Sequence, residues 1–307
     1  MASLKIGMVG LDTSHCTAFT RLLNDPEDEF HVPGGRVTVA YPGGSPDFEL
    51  SWSRVEGITA ELRENYDVRI LSCPEEVAEQ SDAILLTAVD GRCHRELFRR
   101  IAPYKKPVFI DKPFAVSTRD AREMVRIAEE HQLPLMSASS LRYAEPLVKA
   151  LEDMEQPFGC DAFGPMALEP TQPGLFWYGI HGVEMMYAAL GTGCVRVRAV
   201  SHPRQDVVVG EWADGRIGTF RGNREGNASF GMLIHSGKGS AFADVTRSRK
   251  PYYAGLLEQV MTMFRSGSPP LDLGETLEII RFIEAANESR ATGRPVVLAG
   301  DDQENEA

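Results

Sequence analysis

"LKIGMVGLDTSHCTAFT", residues 4–20, is the stretch from which the rest of the chain can be read. An apolar run from Leu4 to Val9 ends on Gly10, and beyond it Cys16, Phe19, Leu22 and Leu23 recur at helical spacing. A buried strand that meets a glycine and turns at once into a helix has the shape of a dinucleotide-binding turn. In such a turn glycines let the backbone bend sharply, approach a diphosphate and pack the helix on the sheet, while the helix N-terminus supplies amide donors. Gly10 keeps the first of the three glycine positions, Asp12 occupies the second and His15 the third. A carboxylate beside a diphosphate repels it unless it is turned aside, and capping the helix is one such use open to Asp12, Thr13 and Ser14. His15 could then donate to a phosphate oxygen. The competing reading is that the whole stretch only caps a helix.

Outward from this turn the first half alternates short apolar runs with helical patterns. Strands are expected at 36–41, 68–71, 83–89, 107–110 and 133–139, and helices near 53–65, from Pro74, at 94–102 and from Ser117 or Thr118. This is the pattern of a parallel sheet wound on both faces. After about residue 156 strand-like segments follow one another without helices between them: 195–200, 207–212, 216–220, 228–235 and 240–245, with turns at "ADG" (213–215) and "SGKG" (236–239). Helices are expected at 179–190, 252–266 and 274–291, and a late strand at 294–298. The reading is therefore an α/β chain: a doubly wound parallel domain over 1–155, then an α+β domain with a mainly antiparallel open sheet over 156–307. The acidic tail "GDDQENEA" is expected to fray.

Composition narrows the partners. The 307 residues carry a net charge of -12 and contain no compensating basic block, which argues against a nucleic-acid or anionic-membrane surface and for a small-molecule ligand. Cysteines 16, 73, 93, 160 and 194 show neither CxxC spacing nor a repeat, so neither a metal site nor a disulfide framework is expected. The first strand begins close to Met1 and no apolar run reaches membrane-spanning length, so a cytoplasmic location is expected. At the end of the second strand, "VAYPGGSPD" places Tyr41, Pro42, Gly43 and Gly44 where an acid commonly holds the adenosine ribose, with Asp47 several residues late. NAD and NADP both stay open.

A more specific pattern lies further along. "TAVD" at 87–90, His94 and "DKP" at 111–113 stand where the Gfo/Idh/MocA oxidoreductases (glucose-fructose oxidoreductase and inositol dehydrogenase-like proteins) carry a Thr-Pro-Asn-like turn, a His and Glu-Lys-Pro. "LRY" at 141–143 fits their Arg-Phe/Tyr, and "GLFWYGIHGVEMMYAALG" resembles their segment ending in G-x-H-x-x-D, with Gly179 and His181 matching and Glu184 at the place of the Asp. The resemblance covers nearly the whole chain. It implies a Rossmann domain, a second domain whose open sheet supports homo-oligomers, and hydride chemistry with NAD or NADP on a sugar, polyol or related carbonyl compound. It implies Thr87, Asp90, His94 and Asp111 as cofactor neighbours, joining Gly10, Asp12, Thr13, Ser14, His15 and Lys112. Where members with a full polar set place an Asp four residues before the His, this chain has Trp177.

Hydride transfer from a carbinol needs a base for the hydroxyl proton and a donor for the developing alkoxide. Lys112 suits both, because a partly desolvated lysine loses its proton more readily and the carboxyl end of a parallel strand faces the ligand crevice. His181 could take or relay the proton; its bland alternative is a satisfied core histidine between Ile180 and Val183. Trp177, Tyr178, Arg142 and Tyr143 could wall a sugar, with Glu184 beside them, or could simply be core. Two further readings compete with net oxidation: a redox-neutral glycoside-cleaving enzyme that keeps its NAD, and a non-catalytic sensor with a degenerate cofactor turn.

Overall fold

The computed structural model describes residues 3–298. The chain divides into two compact units, residues 1–140 with 250–273, and residues 141–249 with 274–307. The chain passes from one unit to the other three times, after residues 140, 249 and 273. The expected helix at 252–266 returns to the first unit, because its apolar side chains pack there, on α1 and the strands below it.

In the first unit β1 (Leu4–Val9), β2 (Gly35–Tyr41), β3 (Arg69–Ile70), β4 (Ala83–Leu86), β5 (Val108–Ile110) and β6 (Leu135–Ser137) form one parallel sheet in the order β3-β2-β1-β4-β5-β6. That order reverses direction at β1, and ligands in such sheets bind beyond the strands' carboxyl ends at this reversal. Connecting helices are α1 (Ser14–Asn24), α2 (Glu49–Tyr66), α3 (Pro74–Glu79), α4 (His94–Ile101) and α5 (Thr118–His131). Their starts follow local chemistry: Ser117 caps α5 by accepting from the Asp120 amide at 3.1 Å, and Pro74 opens α3. The unit's second segment brings the helix Tyr252–Ser266 alongside α1, where Tyr253 lies edge-on to Phe19 at 5.7 Å.

Register aligns the residues of interest. Val9 pairs with Leu86 and Leu86 with Ile110, so Gly10, Thr87 and Asp111 leave three adjacent strands at one level. The Thr87 amide donates to Val9 O at 2.8 Å and the Asp111 amide to Leu86 O at 2.9 Å.

The second unit begins at Leu141, within a short 3-10 turn, Ser140–Tyr143, that leads into α6 (Glu145–Asp153). Then come β7 (Gly159–Pro165), α7 (Ile180–Leu190), β8 (Cys194–His202), β9 (Gln205–Trp212), β10 (Ile217–Asn223), β11 (Gly231–Ser236) and β12 (Gly239–Asp244). In chain order the helix Tyr252–Ser266 of the first unit is α8, and α9 (Leu273–Thr292) and β13 (Val296–Val297) follow. The sheet runs β12-β11-β7-β10-β9-β8-β13, antiparallel throughout except where β7 lies parallel to β10. The α7 helix packs on β7 and β10 closely enough that a Cβ at Gly182 would sit 2.1 Å from the Phe220 ring. Thus α7 covers one face of the sheet. The acidic tail 300–307 lies outside the described residues, and among those described no helix is long and apolar enough to cross a membrane.

Candidate cofactor and active site

Gly10 is required where it stands. Its φ is +91°, and a Cβ there would lie 2.5 Å from both the amide nitrogen and the Cα of Ala88. The turn therefore presses backbone on backbone against the end of β4, and the Thr87 hydroxyl locks the contact by donating to Gly10 O at 2.7 Å. The β2 end is equally close: Gly10 and Leu11 donate to Tyr41 O and Pro42 O at 2.9 and 2.7 Å.

Asp12 does not cap the helix. Thr13 does, its side chain accepting from the His15 amide at 3.4 Å. Asp12 points the other way and is buried: Oδ1 accepts from the Val89 amide at 2.8 Å and Oδ2 from the Ser51 hydroxyl at 2.6 Å, while Ser51 Oγ accepts from the Ser45 amide at 2.7 Å. One carboxylate thus ties together the loops after β1, β2 and β4. Burial pushes its pKa up, opposed by these hydrogen bonds and by His94. Charge at the second glycine position is spent inside the protein, and the first amides of α1, at Thr13 and Ser14, remain donors such as every helix start presents. This is a turn a diphosphate fits.

His15 reaches across to β5, its Nδ1 2.5 Å from Asp111 Oδ2. Asp111 Oδ1 accepts from the Lys112 amide at 2.9 Å. Burial works to raise the Asp111 carboxyl, but His15 and Lys112 outweigh it and hold it below the ordinary value. Lys112 is buried, and desolvation pulls its ammonium down, with Asp111 opposing. These four residues, Gly10, His15, Asp111 and Lys112, share the carboxyl edge of one sheet.

The other expected cofactor neighbours lie deeper. His94 is fully buried, with Nε2 2.7 Å from Ala88 O and Nδ1 2.9 Å from Pro113 O, joining the β4 loop to the segment after β5. Asp90 is buried against Arg92, whose guanidinium also pairs bidentately with Asp47 at 2.8 and 2.9 Å. Arg92 and Ser51 were not among the expected site residues. "DGRCH" carries a local hint of Arg92 in its alternating charge, whereas Ser51 meets Asp12 only through the fold.

In the second unit Arg142 is buried and donates to Glu184 O at 3.0 Å, to Glu184 Oε2 at 3.2 Å and to Glu275 Oε1. Its guanidinium is thus shared by two carboxylates. Burial raises the neighbouring Tyr143 phenol to about 12. His181 opens α7 within an aromatic row: Trp177 against Tyr178 at 6.0 Å, Tyr178 against His181 at 5.7 Å, His181 against Phe230 at 5.6 Å.

With this geometry in hand, the likeness to known proteins falls into place. Residues 4–139 match the family model described as "Oxidoreductase family, NAD-binding Rossmann fold" (GFO_IDH_MocA). D-apiose dehydrogenase of Rhizobium rhizogenes is 42% identical over 66 residues, 21% of this chain and 19% of that protein, so the match spans about a fifth of the relative's length. A myo-inositol dehydrogenase from Lactobacillus casei, solved with NAD(H) and myo-inositol, superposes with a TM-score of 0.77 at 12% identity, covering 98% of each chain. An apo scyllo-inositol dehydrogenase from Lactobacillus casei gives 0.79 at 11% identity, covering 97% of this chain and 99% of that one. At such identities the structural likeness is one of fold. The likeness in sequence to the NAD-binding Rossmann fold of the Gfo/Idh/MocA oxidoreductases thus lies within residues 4–139, and over the rest of the chain the likeness is one of fold.

Proposed function

We propose that the chain is an NAD-dependent oxidoreductase that oxidises a carbinol of a sugar, polyol or related small compound. The observation that carries this reading is Lys112, a buried lysine at the carboxyl end of β5, one residue beyond the level at which Gly10 and Asp111 leave the sheet. A bound nicotinamide would supply the hydride acceptor. Gly10, Thr13, Ser14 and His15 hold the diphosphate side, and Lys112 takes the hydroxyl proton, its lowered pKa keeping a neutral amine within reach. Within the second unit Trp177, Tyr178 and His181 form an aromatic row that offers stacking faces to a sugar ring.

NAD is favoured over NADP in this reading. The loop after β2 holds Asp47, and Arg92 there is already neutralised by Asp47 and Asp90. A 2′-phosphate would meet two carboxylates, whereas ribose hydroxyls can donate to Asp47. The non-catalytic reading loses its main support, because Asp12 is withdrawn into the loop network.

A homo-oligomer formed through the C-terminal sheet belongs to the same proposal. The face opposite α7 carries Phe163 and Phe242, stacked at 6.1 Å, with Leu233 paired to Phe242. Five unpaired thiols suit a reducing, cytoplasmic compartment.

The test is calorimetric titration with NAD and NADP followed by turnover on a polyol and sugar panel. NAD should bind more tightly. Lys112→Ala should keep NAD affinity within a few-fold and lower kcat by about 10²-fold or more; normal turnover in that variant would end the assignment.

A further inference from the structure

Two departures from the family pattern meet in space. His15 replaces the third glycine of the turn, Asp111 replaces the glutamate before the lysine, and the two side chains form the 2.5 Å contact described above. The ring is held on its other sides by Phe19 at 5.6 Å and by Tyr253 of α8 at 4.8 Å, and the side chain keeps 13% of its surface accessible. A carboxylate only accepts, so the hydrogen of this pair sits on Nδ1. In the neutral ring Nε2 is then a lone pair, and only the imidazolium carries a hydrogen there.

We propose that His15 binds the dinucleotide's diphosphate through Nε2–H as an imidazolium, so that cofactor binding takes up a proton. The proposal rests on the dinucleotide reading of this turn. Diphosphates sit at the first turn of α1 in this fold, and His15 is the second residue of that helix. A lone pair at Nε2 would repel the phosphate oxygens, whereas an N–H there adds a charge-assisted bond. A glycine in that place would supply nothing that titrates.

The His15–Asp111 pair is set among other charged and titratable groups. Asp111 and Lys112 come from β5. On α1 Cys16 is buried, and burial raises its thiol to about 12, so it stays protonated. The turn contributes Asp12, which faces Ser51 and Val89, and α8 contributes Tyr253. Histidine is the side chain whose charge ordinarily changes between pH 5 and 8. Lys112, lowered by burial, is the other group to be separated from it.

The experiment is calorimetric titration of the full chain with NAD between pH 6 and 9, in buffers of different ionisation heat. Uptake of up to one proton is expected, with affinity falling by up to about tenfold per pH unit wherever binding must form the imidazolium. Both effects should persist in Lys112→Met and vanish in His15→Gln. A second variant, His15→Gly, restores the glycine and should bind NAD without proton uptake even if the glutamine side chain perturbs packing. Binding without proton uptake in the unaltered protein, or uptake that survives both His15 variants, would overturn the proposal. Absence of NAD binding at every pH would overturn the cofactor reading beneath it.

Discussion

At the scale of single residues, Asp12 shows how a substitution that looks hostile to a ligand becomes part of the scaffold. Its two oxygens hold the Val89 amide and the Ser51 hydroxyl. Removing them in Asp12→Ala would leave a buried amide unpaired, at a cost of about 1–3 kcal/mol. Asp12→Asn keeps an acceptor for Val89 and offers a donor to Ser51 without a charge to bury. The pH dependence then separates the two. Burial raises the folded-state pKa of Asp12 above its unfolded value, so the folded state holds that proton more tightly. Its contribution to stability is fully present below the ordinary aspartate range and is lost as pH rises through the raised value. Thermal melts at a series of pH values should show the natural protein losing ground to Asp12→Asn across that window and running parallel above it. Parallel curves throughout would mean that the carboxylate pays no penalty for its burial.

Elements show where pattern and packing part company. The strands of the parallel sheet were legible because each is a short apolar run beside a turn signal, and Lys112 was legible because it follows one of them. β7 was not: "GCDAFGP" begins with a glycine and closes on Gly164 and Pro165, with only Cys160 and Ala162 buried between the glycines, too little apolar bulk to show the alternation it obeys. Yet it is paired on both sides, with β10 and β11. α6 went unread for a similar reason, since its nine residues bury only Leu147 and Ala150. Arg142 was legible as a residue but not in its contacts, which join the 3-10 turn to α7 and to α9, 133 positions away. Those contacts make a prediction at this scale. Arg142→Met would take the guanidinium from buried Glu184 and half-buried Glu275, and breaking a buried ion pair from one side costs about 3–5 kcal/mol. The denaturant midpoint should fall accordingly, and adding Glu184→Gln should recover part of the loss. A midpoint within error of the natural protein would show that the carboxylates find other partners.

For the whole molecule, the decisive feature is that the cofactor domain is built from two stretches of chain. No periodicity in 252–266 tells which sheet that helix covers, because an apolar face is satisfied by any apolar surface; only the three-dimensional structure assigns α8 to the first unit. There Tyr253 backs both His15 and Phe19, Met261 approaches Gly35, and Arg265 donates to Pro33 O at 2.7 Å. Full burial of one large apolar side chain is worth about 1.5–3 kcal/mol, and a domain's whole margin is about 5–15 kcal/mol. Losing a helix that contributes several such side chains is therefore enough to unfold the unit. A chain ending at Ser140 has every strand of the parallel sheet and the whole family-matched segment, yet it should melt without a cooperative transition and bind no NAD. The same residues joined to 250–273 through a short flexible linker should regain both. Far-ultraviolet circular dichroism on heating, with NAD titration alongside, decides the matter: a cooperative melt and native affinity in the chain ending at Ser140 would show that α8 only decorates the domain, and that the backing of His15 by Tyr253 is dispensable.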